Sequence, residues 1–77
     1  KYIGTYYSEG RSVLNIIKEN KRIYIKSTRK TVIFPYEKNK FFIKETPLSL
    51  NFYEEKSKII SFAKIENGII ENFIKIE

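Results

Sequence analysis

Alternation constrains this chain more than any other feature. Apolar and polar residues trade places with a period of two, β-branched and aromatic side chains take the apolar positions, and clusters of Gly, Pro, Asn, Ser or Lys interrupt every six to ten residues. A helix needs an apolar stripe of period 3.6 over ten residues or more with a cap, and no stretch carries one. The pattern predicts eight strands, near Tyr2 to Tyr7, Ser12 to Lys18, Arg22 to Ser27, Thr31 to Tyr36, Phe41 to Glu45, Leu48 to Glu54, Ile59 to Glu66 and Ile69 to Ile76. Connections this short force neighbours to run antiparallel, because a parallel crossover needs about a dozen residues. The expected fold class is therefore all-β, an antiparallel meander of about eight strands. Closing it into a small up-and-down barrel is the simplest way to protect its edges.

Turn residues fix part of the register in advance. Asn67-Gly68 tolerates positive φ at both central positions of a type I′ turn. It would set Ile65 opposite Ile70, Ala63 opposite Asn72, Ser61 opposite Ile74 and Ile59 opposite Ile76, gathering most of the apolar residues on one face. The other face would pair Lys64 with Glu71 and Phe62 with Phe73, each favourable by roughly 0.2–1 kcal/mol. Asn20-Lys21 treated the same way pairs Glu19 with Arg22, Ile16 with Ile25 and Leu14 with Ser27, with Leu14, Ile16, Ile23 and Ile25 on one apolar face. The Thr46-Pro47 corner removes a ladder donor and separates Phe41 and Ile43 from Leu48, Leu50 and Phe52.

Composition bounds the chemistry. The 77 residues allow one domain and contain no Cys, His, Met, Trp or Asp. A disulfide, a thiolate nucleophile, the usual zinc site and a Ser-His-Asp triad are therefore excluded within the chain, and no cofactor is expected. The sequence begins without Met, so the expectation is a piece of a longer protein, 1–77 being one accessory domain. No apolar run approaches the roughly 20 residues that span a bilayer. The formal net charge of +6 invites a polyanion partner. However, Ile, Lys, Asn, Phe, Tyr and Glu all have A/T-rich codons, and Lys18, Lys26, Lys44, Lys64 and Lys75 are scattered singly. The closest clusters, Lys21-Arg22 and Arg29-Lys30, fall at turns. Solvated surface is the expected role, and nucleic acid is not the expected partner.

Candidate motifs meet the same test. Ser27 to Lys30 and Ser61 to Lys64 match Ser-x-x-Lys, but with 6 Ser and 12 Lys in 77 residues chance supplies about one match. The chemistry also needs both groups on one helix face, whereas strand residues three apart point oppositely. Glu54-Glu55 would likewise diverge, which argues against paired carboxylates for acid–base work. Tyr6, Tyr7, Tyr24, Tyr36 and Tyr53 could stack bases, but core and cross-strand packing is the expected use. Gly4 and Gly10 form no phosphate loop.

One resemblance runs through nearly the whole chain. Tyr2-Ile3-Gly4-Thr5-Tyr6 is similar to the Y-x-G-x-Y start of the lipocalin-like β-domain that follows the catalytic domain in many β-lactamase-related, penicillin-binding-protein-like serine hydrolases. Val13-Leu14, Val32-Ile33-Phe34-Pro35, Phe41-Phe42, Leu50-x-Phe52, Ile59-Ile60-x-Phe62 and a closing Lys75-Ile76 follow in the family's order. Where the family often has Asp and a Gly-Lys turn, this chain has Glu54-Glu55 and Lys56-Ser57-Lys58. The resemblance implies a lipocalin-like barrel and a structural signature of Tyr2, Gly4, Tyr6, Pro35, Phe52, Asn67 and Gly68. Gly4 would let a backbone or ring approach between Tyr2 and Tyr6, and Pro35 would occupy an outer or bulged position.

The same resemblance implies a non-catalytic accessory domain that packs on the preceding catalytic domain or a second subunit and modulates substrate access or assembly. The catalytic Ser, Lys and Tyr would belong to that preceding domain, and an extracytoplasmic location would follow. Two alternatives stand beside it: a small barrel that binds single-stranded nucleic acid through Lys and Tyr, including Tyr24 and Tyr53, and a carrier of a small apolar ligand.

Overall fold

The computed structural model describes residues 1–10 and 12–77. Eight strands follow in order: β1 (Gly4–Tyr7), β2 (Val13–Glu19), β3 (Arg22–Lys26), β4 (Lys30–Glu37), β5 (Lys40–Phe42), β6 (Leu48–Glu55), β7 (Lys58–Glu66) and β8 (Ile69–Lys75). Each pairs antiparallel with the next, and β8 returns to β1, so the meander closes into a barrel with no free edge. There is no helix among the described residues, hence none long and apolar enough to cross a membrane.

Turn chemistry sets this ladder. Asn20 and Lys21 have φ of 50° and 68°, Lys56 and Ser57 51° and 68°, and Asn67 and Gly68 51° and 80°, so three hairpins turn through two residues with positive φ. Both registers expected from Asn20-Lys21 and Asn67-Gly68 are present, including Ile16↔Ile25, Glu19↔Arg22, Phe62↔Phe73 and Lys64↔Glu71. Two expected pairs lie past the ends of the ladders: the β2–β3 pairing stops at Asn15↔Lys26 before Leu14 and Ser27, and the β7–β8 pairing stops at Ser61↔Ile74 before Ile59 and Ile76. At the Pro47 corner, Thr46 Oγ1 donates to the Ile43 carbonyl and accepts from Leu48 N–H, closing a short loop.

Two bulges decide which side chains face inward. Tyr53↔Ser61 is followed by Glu54↔Ile59, so Ile60 is an extra residue in β7 and puts Ile59 and Phe62 on the same face. The register also shifts between Pro35 and Glu37, as expected for a strand residue without an N–H. Inside lie Tyr6, Ile16, Ile25, Ile33, Phe41, Leu50, Phe52, Ile59, Phe62 and Phe73, with Leu14, Ile23, Ile43, Leu48 and Tyr2 packed against them. This corrects one expectation. On the last hairpin the apolar face of Ile70, Ile74 and Ile76 is the exposed one, and the face of Phe62 and Phe73 fills the barrel. The two rings stack 4.9 Å apart at 9°. Filling an eight-stranded interior takes large side chains, and two Phe rings bury more area than the isoleucines opposite them.

Candidate functional site

Of the signature residues, Tyr2, Tyr6 and Phe52 come together in this interior, while Pro35, Asn67 and Gly68 are exposed. Tyr2 lies 4.9 Å from both Phe41 and Phe52, and Tyr6 4.8 Å from Phe62, in edge-on or tilted contacts. The Tyr6 hydroxyl donates to the Tyr2 carbonyl at 2.8 Å, and burial pushes its pKa up to about 12. Gly4 admits a close approach, though not of a ring. A Cβ there would meet the Glu77 carbonyl oxygen and the Lys75 side chain, because Thr5 N–H binds that carbonyl where β1 meets the chain end. Asn67 and Gly68 form the last turn, far from Tyr2 in sequence and role.

The candidate catalytic pairs do not assemble. Ser61 faces outward and Lys64 inward, where its amine lies 3.7 Å from Glu71; Glu71 in turn accepts from the buried Ser8 hydroxyl at 2.7 Å. Lys30, the partner of the Ser27 motif, is held by Glu19 across the sheet; that hydrogen bond raises the Lys30 pKa. Glu54 is held below its ordinary pKa by a hydrogen bond from Asn39 and then by Lys1, while Glu55 is exposed. Among the described residues no group of three or more carboxylates gathers.

What the barrel offers instead is two unlike outer faces. Outward positions on β6, β7, β8, β1 and most of β2 are Ser49, Asn51, Tyr53 and Glu55; Lys58, Ser61, Ala63 and Ile65; Ile70, Asn72 and Ile74; Thr5 and Tyr7; Val13, Asn15 and Ile17. Of these sixteen the charged ones are Glu55 and Lys58, paired beside the β6–β7 turn, although 31% of the chain is charged, which would place about five there by chance. Tyr53, Ser61, Ile74, Tyr7 and Val13 are successive cross-strand partners and form one continuous row. The face peaks on the last strand, where Ile70 and Ile74 are 61% and 58% exposed. Within this face the Asn51 Oδ1 atom is buried and has no hydrogen-bond partner among the described residues.

The remaining three strands reverse this. Outward positions on β3, β4 and β5 are Arg22, Tyr24 and Lys26; Lys30, Val32, Phe34 and, past the bulge, Glu37; Lys40 and Phe42. Four of these nine are basic, three are aromatic, and the one acidic residue, Glu37, is paired with Lys40. Residues 18–45 hold nine basic side chains against three acidic, the entire net charge of +6, while the rest of the chain balances six with six. Reading lysines one by one missed this. The charge balance of successive segments would have found it without a structure.

Compared with known proteins, the chain matches no family model, no curated protein and no solved structure.

Proposed function

We propose that this barrel is a non-catalytic accessory domain of a β-lactamase-related serine hydrolase, packing on the preceding catalytic domain through the uncharged outer face centred on β8. The observation that carries the reading is the run of fourteen outward positions without a charge, bounded by the Glu55 and Lys58 pair at the β6–β7 turn. Covering a charged side chain requires a charged partner for it, whereas Ile and Val are desolvated with a gain and Tyr, Ser and Asn need only a neutral hydrogen-bond partner across the interface. Within that face Tyr53, Ile74, Tyr7 and Val13 are exposed along one row with Ile70 beside it, and clustered exposed apolar side chains mark an interaction surface. The order of sequence elements from Tyr2-Ile3-Gly4-Thr5-Tyr6 to Lys75-Ile76 supports the parent class. The filled interior leaves little support for the ligand-carrier alternative.

The test has two arms. In the full-length protein, Ile70→Lys with Ile74→Lys should leave the barrel folded, release it from its neighbour, and raise protease cleavage between the domains. In the isolated barrel, no hydrolysis of an ester, a peptide or a β-lactam is expected. Turnover by the isolated barrel that Ser61→Ala abolishes overturns the proposal, as does an upstream reading frame lacking a Ser-x-x-Lys catalytic domain.

A further inference from the structure

We propose that the opposite face, built by β3, β4 and β5, binds single-stranded nucleic acid, with its lysines and arginine on the phosphates and its aromatic rings under the bases. The proposal is independent of the docking assignment, because it uses the other side of the barrel.

Charge is the first support. Of the nine basic residues in 18–45, Lys30 and Lys40 have ion-pair partners among the described residues, Glu19 and Glu37, and the other seven have none. Lys26 and Lys30 are direct cross-strand partners, and Glu19 offsets Lys30 while Lys26 has no ion-pair partner among the described residues. The excess positive charge left on this face is what a polyanionic ligand would neutralise. A phosphate chain does so and releases its condensed counterions.

The rings separate a nucleic acid from other polyanions. Phe34 and Phe42 lie 5.7 Å apart and half-buried, and Tyr36, 50% exposed, lies 6.0 Å from Phe42, so the three rings form a cluster whose open member is Tyr36. Lysine amines already sit on two aromatic faces: Lys44 is 4.8 Å from the Phe34 ring centre and Lys30 4.9 Å from that of Tyr24. These are long, exposed side chains that can swing to a phosphate while the ring takes a base. A groove of about 290 Å³ between Lys21, Arg22, Val32, Phe34 and Pro35 borders the cluster. Ring faces are open to bases only when the bases are unstacked, and this convex sheet has no helix to enter a duplex groove, so single strands are the fitting form. Three strands are wide enough for about four or five nucleotides, the low end for a small barrel.

Fluorescence anisotropy with labelled oligo(dT) and oligo(rU) of about eight nucleotides tests this on the intact chain. Binding in the micromolar range at low salt is expected, with log K falling against log[salt] at a slope of about −3, since roughly four phosphates are neutralised at about 0.7 each. Arg22→Gln with Lys26→Gln should weaken binding about tenfold or more and flatten the slope by about 0.7 per charge removed. Tyr36→Ala should cost about fivefold or more on the oligonucleotide and nothing on inorganic polyphosphate. Ile74→Lys, on the far face, should not weaken it. The proposal is overturned by absence of binding at low salt, by polyphosphate matching the oligonucleotide with Tyr36→Ala silent, or by anionic phospholipid vesicles outcompeting both. Circular dichroism of each variant separates lost binding from lost fold.

Discussion

Gly4 and Tyr6 occupy neighbouring places on one strand and are held for different reasons. Gly4 is needed because the chain end passes over it: a side chain there meets the Glu77 carbonyl, which Thr5 fixes in place. Gly4→Ala should therefore destabilise the barrel by about 1–3 kcal/mol in urea titrations, and a variant as stable as the parent would contradict the contact. Tyr6 is fully buried and its phenol holds its proton to about pH 12. A raised folded-state pKa gives stability that is complete below the unfolded value near 10 and lost as pH climbs from there towards 12. Tyr6→Phe should lose about 1 kcal/mol at neutral pH with its hydrogen bond to Tyr2. Its stability should fall less steeply than the parent's between pH 10 and 12, and matching slopes would refute the assignment. Both residues stand out in the sequence as Tyr-x-Gly-x-Tyr. The partner of Gly4 does not, because Glu77 arrives from the other end of the chain.

At the scale of elements, the hairpins divide into those that residue type announces and one that it does not. Asn67-Gly68 carries two residues that tolerate left-handed φ and Asn20-Lys21 carries one, Asn20, and the expected registers follow. Lys56-Ser57 adopts the same turn with neither residue suited to it, at φ of 51° and 68°, because the long β6–β7 ladder on either side leaves two residues to reverse direction. Lys56→Asn with Ser57→Gly should stabilise the domain by about 1 kcal/mol, seen as a melting temperature several degrees higher. Gly68→Val should lower stability by about 1 kcal/mol or more, since φ there is 80° although the space is open. The inward face of the last hairpin was the harder reading. Ile59-Ile60 gives no sign of which residue is the bulge, and that single insertion reverses which isoleucine enters the core.

Across the whole molecule, closure of the sheet sorts charge that the sequence disperses. Lys26 and Lys30 lie on either side of a turn, and pairing brings them directly opposite each other on a face with Arg22 and Lys40. Lys26→Glu should turn that repulsion into an attraction. The expected result is a gain of about 0.2–1 kcal/mol in thermal unfolding at low salt, shrinking as salt screens it. The same variant should lose oligonucleotide affinity, so stability and binding would move in opposite directions. On the other side, the exposed β8 isoleucines should drive concentration-dependent self-association of the isolated barrel in sulfate, read by sedimentation. Ile70→Lys should suppress it.

By itself the sequence determined the strands, their antiparallel order and two registers, because a period of two and a positive-φ dipeptide are local properties that each hairpin expresses alone. It also determined that the chain's net charge sits in one segment. Tertiary structure decided which side of each strand became interior, what Gly4 accommodates, and that the charged and largely uncharged halves of the surface face opposite ways. Those outcomes depend on the first strand meeting the last, and residues more than sixty positions apart share no local pattern.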